Sequence, residues 1–252
     1  MIEEITFVSD FDGSKQKYLI QKPLTSLCNG IFIYLHGATN HMEQGFNKNI
    51  FNGTFEKLQN YFYRNHYIYV CPEYRGDSWM NEPAESDVIF IINSLRRCFQ
   101  TERVFLMGGS MGGTGALIFS TRHPELISGV CALCPATDMI TLYNNWIHTE
   151  YNFLAKGIET AYQGSPEKRP EEFRKRSSIY YVEKLKEKPV AIIHGDDDWL
   201  ISVEHSRNFV KRSVKSGIRI FYHEIRYGNH DSPLYDFSLI EKVLLWFEPS
   251  SK

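Results

Sequence analysis

Short apolar runs of strand length alternate along this chain with longer segments of helical periodicity, and no other feature constrains the fold as strongly. The runs in the middle of the chain are apolar on both faces, as strands buried within a parallel sheet are. The predicted strands are 5–8, 18–20, 31–35, 67–71, 104–107, 130–133, 190–193 and 218–223. The first two are expected to form an opening hairpin or a pair of edge strands.

The segments between these runs carry apolar residues at three- and four-residue spacing, which predicts helices packed on a sheet. The predicted helices are 54–65, 83–99, 113–123, 203–216 and 237–247. Alternation of this kind predicts a single α/β domain over residues 1–252. We expect a mostly parallel central sheet of about eight strands with helices on both faces.

One long segment breaks the alternation. Residues 136–188 contain no clear strand and are rich in aromatic and charged side chains. A structureless loop of this length is unusual in a compact domain, so we expect short helices that lie over one end of the sheet. Open α/β sheets bind their ligands at the carboxyl ends of the strands, where such an insertion belongs. The segment is therefore a candidate lid or cap.

Composition and charge exclude several classes of function. Hydrophobic residues make up 42% of the chain and charged residues 23%, which is ordinary for a globular protein. The formal charge of −2 gives no electrostatic reason to expect nucleic acid or an anionic membrane as a partner. The N-terminus lacks the features of a signal peptide, and no segment approaches the roughly 18–20 apolar residues of a membrane span. We therefore expect a cytoplasmic protein.

The five cysteines do not predict a disulfide framework, because their number is odd and most of them lie in apolar, strand-like runs. Cys131 and Cys134 have C-x-x-C spacing, but the motif lies in a predicted buried strand and has no second pair of ligands. We interpret both as small core residues, and we predict no metal and no cofactor.

A glycine-rich turn, GGSMGG at residues 108–113, joins a predicted strand to a predicted helix. A serine on so sharp a turn projects its hydroxyl from the sheet edge, and its neighbours must be small because larger side chains would collide with the strand or the helix. The pattern predicts Ser110 as a nucleophile that accepts an acyl group, the alternative being a plain glycine-rich turn or one that binds phosphate. The run lacks the P-loop and dinucleotide-binding patterns, which disfavours a nucleotide-binding protein.

A nucleophilic serine needs a general base to take its proton and a carboxylate to orient that base. In this topology the acid and then the base follow the serine, each after a later strand. His230 lies between the last predicted strand and the last predicted helix and is the predicted base. Asp198, furthest into the loop of the run Asp196–Asp198, is the predicted acid, and Asp138 is the alternative. Three adjacent carboxylates in a tight turn seldom supply a whole coordination shell, so we predict no metal there.

The tetrahedral intermediate of acyl transfer needs two backbone N–H groups aimed at its oxygen, which form the oxyanion hole. We expect one of them from Met111, the residue after the serine. The other should come from the loop after the strand at 31–35, where a small residue follows Gly37, and we predict Ala38.

Four motifs in this order resemble the α/β-hydrolase superfamily: His36-Gly37, Gly108-x-Ser110-x-Gly112, His194-Gly195-x-x-Asp198 and His230. Within it, the chain most resembles the prolyl-oligopeptidase-type (S9-like) catalytic domain and related carboxylesterases. The segment Tyr74-Arg75-Gly76 is similar to the Tyr-Arg-Gly segment of that group. The resemblance implies an α/β-hydrolase fold with a helical lid insertion, and hydrolysis through a Ser-His-Asp triad and an acyl-enzyme.

Departures from this group favour an esterase over a peptidase. The peptidases usually carry a large N-terminal propeller, whereas little sequence precedes the first core strand at residue 31, so we expect none. Asp77-Ser78-Trp79 replaces a glycine-rich run, and His36-Gly37-Ala38 replaces a double-glycine form. We expect a serine hydrolase that cleaves a small-molecule carboxylic ester. The alternatives are a small peptidase or amidase acting on short peptides, and a non-catalytic binding protein on the same fold.

Aromatic residues of the insertion are candidates for the walls of the substrate pocket. They are Tyr143, Trp146, Tyr151, Phe153 and Tyr162. We predict substrate contacts from Tyr143 and Trp146, the alternative being that these rings only hold the insertion onto the body of the domain.

Overall fold

One eight-stranded sheet runs through the residues that the computed structural model describes, which are 1–23, 25 and 27–248. Its strands are β1 (Ile2–Val8), β2 (Lys15–Gln21), β3 (Gly30–Leu35), β4 (Tyr67–Pro72), β5 (Val104–Gly109), β6 (Gly129–Leu133), β7 (Val190–Gly195) and β8 (Ile220–Ile225). They are neighbours in the order β1-β2-β4-β3-β5-β6-β7-β8. The pairs β1–β2 and β2–β4 are antiparallel, and all the others are parallel.

Helices cover both faces of this sheet. They are α1 (Thr54–Arg64), α2 (Glu82–Phe99), α3 (Met111–Arg122), α4 (Met139–Trp146), α5 (Asn152–Tyr162), α6 (Pro170–Lys175), α7 (Glu204–Lys215), α8 (Ser232–Tyr235) and α9 (Phe237–Phe247). Apolar residues of α2, α3 and α7 share one core with Ile31 and Ile33 of β3, whereas those of α1 and α9 share a second core with Phe32 and Tyr34. The predicted fold class, a mostly parallel sheet with helices on both faces, is confirmed.

Several predicted boundaries differ from the observed ones by a few residues, and local backbone geometry explains two of them. Strand β8 begins at Ile220 rather than at Ile218, because the Ile218 N–H still donates to the carbonyl of Ser213 in the turn that ends α7. Helix α3 begins at Met111 rather than at Gly113, directly after the turn at Ser110. Within the described residues, no helix is both long enough and apolar enough to cross a membrane.

The segment 136–188 lies between β6 and β7 and contains α4, α5 and α6, followed by a 3₁₀ helix at Ser178–Leu185. This 3₁₀ helix packs on α3, and every residue of α3 from Met111 to Thr121 is buried. Short helices are what the sequence predicts for this segment. Its function as a lid stays a prediction.

A buried ionic cluster ties the insertion to the body of the domain. Arg176, which follows α6 and is fully buried, contacts Glu172, the Met80 carbonyl and Glu85 of α2. Glu85 also accepts from Arg122 at the end of α3, at 2.5 Å. Burial alone would raise the pKa of Glu85, but hydrogen bonds from His123 and Arg122 outweigh it and lower that pKa to about 2.

We expect Glu85→Gln to lower the free energy of unfolding by about 3 kcal/mol, because the buried guanidinium of Arg176 and the partly buried one of Arg122 each lose a carboxylate partner. The pKa of Glu85 in the folded protein is below its ordinary value of 4.5, so its contribution is present above that value and is lost as the pH falls toward about 2. Urea unfolding should therefore show a larger difference between variant and wild type at about pH 6 than at about pH 3.

The matched control is Glu82→Gln, an exposed carboxylate in the first turn of the same helix. We expect it to change stability by no more than about 0.5 kcal/mol. Equal stability of Glu85→Gln and wild type at neutral pH would contradict the assigned role of this cluster.

Candidate active site

The turn between β5 and α3 holds Ser110 in a strained backbone conformation. Its φ of 59° and ψ of −122° lie in a region that residues other than glycine rarely adopt. A Cβ atom at Gly112 would lie 1.9 Å from the Leu35 carbonyl oxygen, and one at Gly108 would lie 2.4 Å from the Gly112 carbonyl carbon. Only glycine fits at these two positions, which explains the small neighbours that the sequence shows on either side of the serine.

Ser110, His230 and Asp198 form one hydrogen-bonded line. The Nε2 atom of His230 lies 2.9 Å from the Ser110 hydroxyl oxygen, and its Nδ1 atom lies 2.7 Å from Oδ2 of Asp198. A carboxylate oxygen only accepts, so Nδ1 carries the ring proton and Nε2 presents its lone pair to the serine. The structure thus brings together the three residues that the sequence predicts as nucleophile, base and acid.

The loop that carries His230 fits tightly against the end of β7. A Cβ atom at Gly195 would lie 2.2 Å from the Gly228 carbonyl oxygen, so the two backbones touch. The Gly228 carbonyl accepts from the Asp197 N–H, and the carboxylate of Asp196 accepts from the Tyr227 N–H. Of the three adjacent carboxylates, the first therefore fixes the histidine loop, and only the third reaches the histidine ring.

Asp198 is buried and fully hydrogen-bonded. Its Oδ1 accepts from the N–H groups of Leu200 and Ile201, both at 2.9 Å. Its Oδ2 accepts from His194 and His230. Burial by itself raises the pKa of this carboxyl, but the hydrogen bonds outweigh that effect and hold its pKa well below the ordinary value. Asp198 is therefore ionised at neutral pH.

His194 is a second histidine on the acid, and sequence reasoning named it only as part of a motif. Its Nε2 lies 3.0 Å from Oδ2 of Asp198 and 2.9 Å from the Ile201 carbonyl oxygen. Both of these atoms are acceptors, so Nε2 carries a proton, and Nδ1 is hydrogen-bonded to the Ser206 hydroxyl at 2.7 Å. The side chain is fully buried, and it fixes the acid between β7 and α7.

The surroundings of His230 favour its charged form. Burial alone would lower the pKa of the ring, but the neighbouring Cys134 sulfur and the Asp198 carboxylate outweigh burial and raise that pKa well above its ordinary value of 6.5. The ring can therefore accept a proton readily, as a general base must.

The loop after β3 contains a backbone N–H group for which the described part of the chain offers no acceptor. The Gly37 N–H donates to Gln44 at 2.8 Å and the Thr39 N–H donates to Asp77 at 2.6 Å. Between them, the Ala38 N–H has no hydrogen-bond acceptor among the described residues. Ala38 lines the cavity in front of Ser110. Met111 opens α3, so its N–H also lies outside the bonds within that helix.

Tyr74, from the segment that resembles the Tyr-Arg-Gly motif, supports this loop from behind. Its buried hydroxyl donates to the His36 carbonyl at 2.6 Å. The His36 ring in turn bonds the Glu73 carbonyl through Nε2 at 3.1 Å. These contacts fix the backbone that leads into Ala38.

A cavity of about 230 Å³ opens in front of Ser110 and His230. Its apolar walls come from Tyr34, Phe51, Trp79, Trp146, Phe153, Leu154, Leu200 and Leu234. Three of these residues, Trp146, Phe153 and Leu154, belong to the insertion, so 136–188 does form part of the pocket. Of the two residues predicted to contact substrate, Trp146 lies in this wall.

Tyr143, the other residue predicted to contact substrate, does not line this cavity. Its ring packs against Phe173 of α6 at a centroid distance of 5.7 Å, and its hydroxyl donates to Glu159 of α5. Tyr143 therefore packs between helices of the insertion, within the core that they share with α2 and α3. Trp79 and Gln44, which sequence reasoning missed, line the cavity instead.

Comparison with known proteins agrees with this geometry. The model of the prolyl oligopeptidase family matches residues 54–252, well over half of the chain. The chain belongs to the prolyl oligopeptidase family. The resemblance drawn from the motifs is therefore confirmed.

Among the curated relatives of this chain, the uncharacterized peptidase YtmA of Bacillus subtilis is 28% identical over 105 residues, which are 42% of this chain and 38% of that protein. The chain thus matches well under two thirds of that relative's length.

Among solved structures, a putative dipeptidyl aminopeptidase IV from Bacteroides ovatus has a TM-score of 0.76 at 18% identity over 98% of this chain and 35% of that one. A ferulic acid esterase has a TM-score of 0.70 at 16% identity over 98% of this chain and 97% of that one. These structures show that the chain shares its fold with the two proteins, one described as a peptidase and the other as an esterase.

His194→Leu should lower kcat/KM by about 10- to 100-fold, because a hydrogen bond to a charged group contributes about 1.5–3 kcal/mol. The Asp198 carboxylate would lose one donor and attract the His230 proton more strongly, so the acidic limb of the pH–rate profile should move to higher pH. His194→Gln keeps an N–H donor and should restore part of both effects. If His194→Leu had the same pH–rate profile as the wild type, His194 would contribute only packing and would not influence the charge of Asp198.

The pH dependence of the wild type tests the environment of His230. The ring must be neutral to accept the serine proton, so kcat/KM should rise with pH through an apparent pKa above 6.5. Measurement of kcat/KM on an activated ester from about pH 5 to about pH 9 gives that value. His148→Gln, at an exposed histidine of the insertion, should leave the profile unchanged. An apparent pKa below 6.5 for the acidic limb of the profile would contradict a raised pKa of His230.

Proposed function

We propose that this chain is a serine hydrolase that cleaves carboxylic esters through an acyl-enzyme on Ser110. The observation that carries the proposal is the line from the Ser110 hydroxyl through His230 to Asp198, with hydrogen bonds of 2.9 and 2.7 Å. His230 is the general base and then the general acid, and Asp198 holds its ring in the required tautomer.

In the first half of the proposed reaction, the Ser110 oxygen attacks the ester carbonyl while Nε2 of His230 takes the hydroxyl proton. The carbonyl oxygen becomes an oxyanion, and the N–H groups of Ala38 and Met111 stabilise it. Collapse of the intermediate breaks the bond to the alcohol, which leaves with the proton from His230.

In the second half, water replaces the alcohol. His230 takes a proton from the water as it attacks the acyl-enzyme, and returns that proton to Ser110 when the acid product leaves. The same N–H groups stabilise the second oxyanion. The steps proposed for this reaction need no cofactor, because side chains and backbone groups supply every proton and every electrostatic contact.

The apolar walls of the cavity favour a substrate with an uncharged organic group. Trp79, Trp146 and Leu200 surround it with apolar surface, which gains free energy when it is covered by an acyl or aryl group. A volume of about 230 Å³ is small, so it suits a short acyl chain or a single aromatic ring. We therefore propose a small-molecule ester as the substrate.

One observation favours a short peptide as the alternative substrate. Asp231, the residue after the proposed base, lines the same cavity. A carboxylate there could pair with the free amino group of a peptide. Hydrolysis of aminoacyl-naphthylamides at a rate comparable with that of p-nitrophenyl esters, reduced in Asp231→Asn, would favour the peptidase. Ester hydrolysis without amide hydrolysis would favour the esterase.

A fluorophosphonate probe should label the wild type at Ser110, because the probe reacts only with a serine that an adjacent base activates. Ser110→Ala should lose the label and should lower ester turnover by a factor on the order of 10⁶. Labelling in gel and hydrolysis of p-nitrophenyl esters of increasing acyl length measure the two effects. Short-chain and aromatic esters should be cleaved faster than long-chain ones.

Ser120→Ala is the matched control, since this buried serine lies on the same helix and outside the cavity lining. It should keep both the label and the turnover. If the intact wild type takes up no label, the chain is a non-catalytic protein on this fold and the proposal fails.

A further inference from the structure

The thiol of Cys134 lies against two members of the proposed triad, and it makes and breaks no bond in the proposed reaction. Cys134 follows β6 directly, is completely buried, and has a φ of 42°. Residues other than glycine rarely adopt such a φ. Its sulfur, a carboxylate oxygen of Asp198 and a ring nitrogen of His230 all lie within 4.8 Å of one another. The backbone thus places a sulfur, an oxygen and a nitrogen atom around one point.

We propose that Cys134, Asp198 and His230 form an inhibitory binding site for a thiophilic divalent cation such as Zn²⁺. Thiolate, imidazole and carboxylate are the three ligand types that Zn²⁺ takes in proteins. The thiolate and the carboxylate would together balance the charge of the ion. Water would supply the fourth ligand of a tetrahedral shell.

The C-x-x-C spacing has no part in this site. Cys131 lies within β6, and its side chain packs into the core on one face of the sheet. Cys134 belongs to the same core, but its sulfur also lies within 4.8 Å of ligand atoms of His230 and Asp198, which come from the loops after β8 and β7. The ligands are therefore far apart in sequence, and for this reason the local motif does not predict the site.

The distances are compatible with zinc after a small adjustment. Zinc bonds of about 2.0–2.3 Å place tetrahedral ligand atoms about 3.3–3.7 Å from each other. The Asp198 oxygen and Nδ1 of His230 lie 2.7 Å apart, so these two must separate by less than 1 Å when the ion replaces the proton between them. The Cys134 sulfur lies within 4.8 Å of a ring nitrogen of His230 and of a carboxylate oxygen of Asp198, and it must approach them to bind the ion.

Binding would inhibit the proposed reaction by moving one proton. In the neutral ring of His230 the proton is on Nδ1, where it is donated to Asp198. A cation bound at Nδ1 needs that lone pair, so the proton moves to Nε2, and the Cys134 thiol releases its own proton to water. Nε2 then donates toward Ser110 and cannot accept the serine proton. This inhibition rests on the proposed function, whereas the binding itself does not.

Calorimetric titration of the purified chain with Zn²⁺ tests the binding. The wild type should bind one ion per chain, and both Cys134→Ala and Asp198→Asn should bind at least tenfold more weakly. Cys98→Ser, at an exposed cysteine of α2, is the matched control and should bind like the wild type. With Co²⁺ as a probe, the wild type should show a thiolate-to-metal charge-transfer band that Cys134→Ala and Cys134→Ser lack.

Ester hydrolysis with and without Zn²⁺ tests the inhibition, each variant being compared with its own rate in the chelator EDTA. Zn²⁺ should inhibit the wild type reversibly, and the half-inhibitory concentration should rise at least tenfold in Cys134→Ala and not in Cys98→Ser. Zn²⁺ should also block labelling of Ser110 by the fluorophosphonate probe.

Absence of zinc binding by the wild type overturns the site, and so does equal affinity in the wild type and in Cys134→Ala and Cys134→Ser. Binding that depends on Cys134 in a chain that hydrolyses no ester supports the site and contradicts the proposed function. Ester hydrolysis that Zn²⁺ leaves unchanged contradicts the site and supports the function. Unfolding midpoints near that of the wild type show that the variants are folded.

Discussion

At Gly112 the first turn of α3 passes so close to β3 that a Cβ atom would lie 1.9 Å from the Leu35 carbonyl oxygen. This approach brings the N-terminus of α3 to the carboxyl ends of β3 and β5, so that Ser110 and the loop with Ala38 face the same cavity. The Ser110 N–H donates to the Leu133 carbonyl at 2.9 Å, which helps to offset the strain of its backbone. A side chain at position 112 would move the helix away and separate the nucleophile from that loop.

The buried carboxylate of Asp198 imposes a second requirement, since a buried charge costs several kcal/mol unless hydrogen bonds compensate it. Two backbone N–H groups and two histidines supply four donors. His194 connects this network to Ser206 on α7. From the insertion, the Trp146 ring N–H donates to the Leu200 carbonyl with a donor–acceptor distance of 2.9 Å. The acid, the helix behind it and one wall of the cavity are therefore fixed by one set of contacts, so a change in the insertion can reach the acid.

The order of strands and loops along the chain explains why the three residues of the proposed triad could be predicted from the sequence. In a parallel sheet the carboxyl ends of all strands meet at one edge, so residues that follow successive strands come together. That rule places Ser110, His230 and Asp198 near one another without any knowledge of side-chain packing. It does not predict the cavity wall, because helical spacing shows which residues share a face and not which neighbour that face meets. Tyr143 therefore faces α5 and α6, whereas Trp79, in an irregular loop with no periodic signal, lines the cavity.

The proton on Nδ1 of His230 connects the proposed chemistry with the inference about Cys134. General-base catalysis requires that proton to face Asp198 and leave Nε2 free, and a hydrogen bond of 2.7 Å holds it there. The same pair of atoms offers a cation two ligands as soon as the proton leaves, and Cys134 adds a third. A hydrophobic residue of similar size in its place would remove the sulfur ligand and preserve the hydrogen-bonded line. The thiol thus raises the pKa of the proposed base without taking part in its proton transfers, and it makes that base sensitive to thiophilic cations.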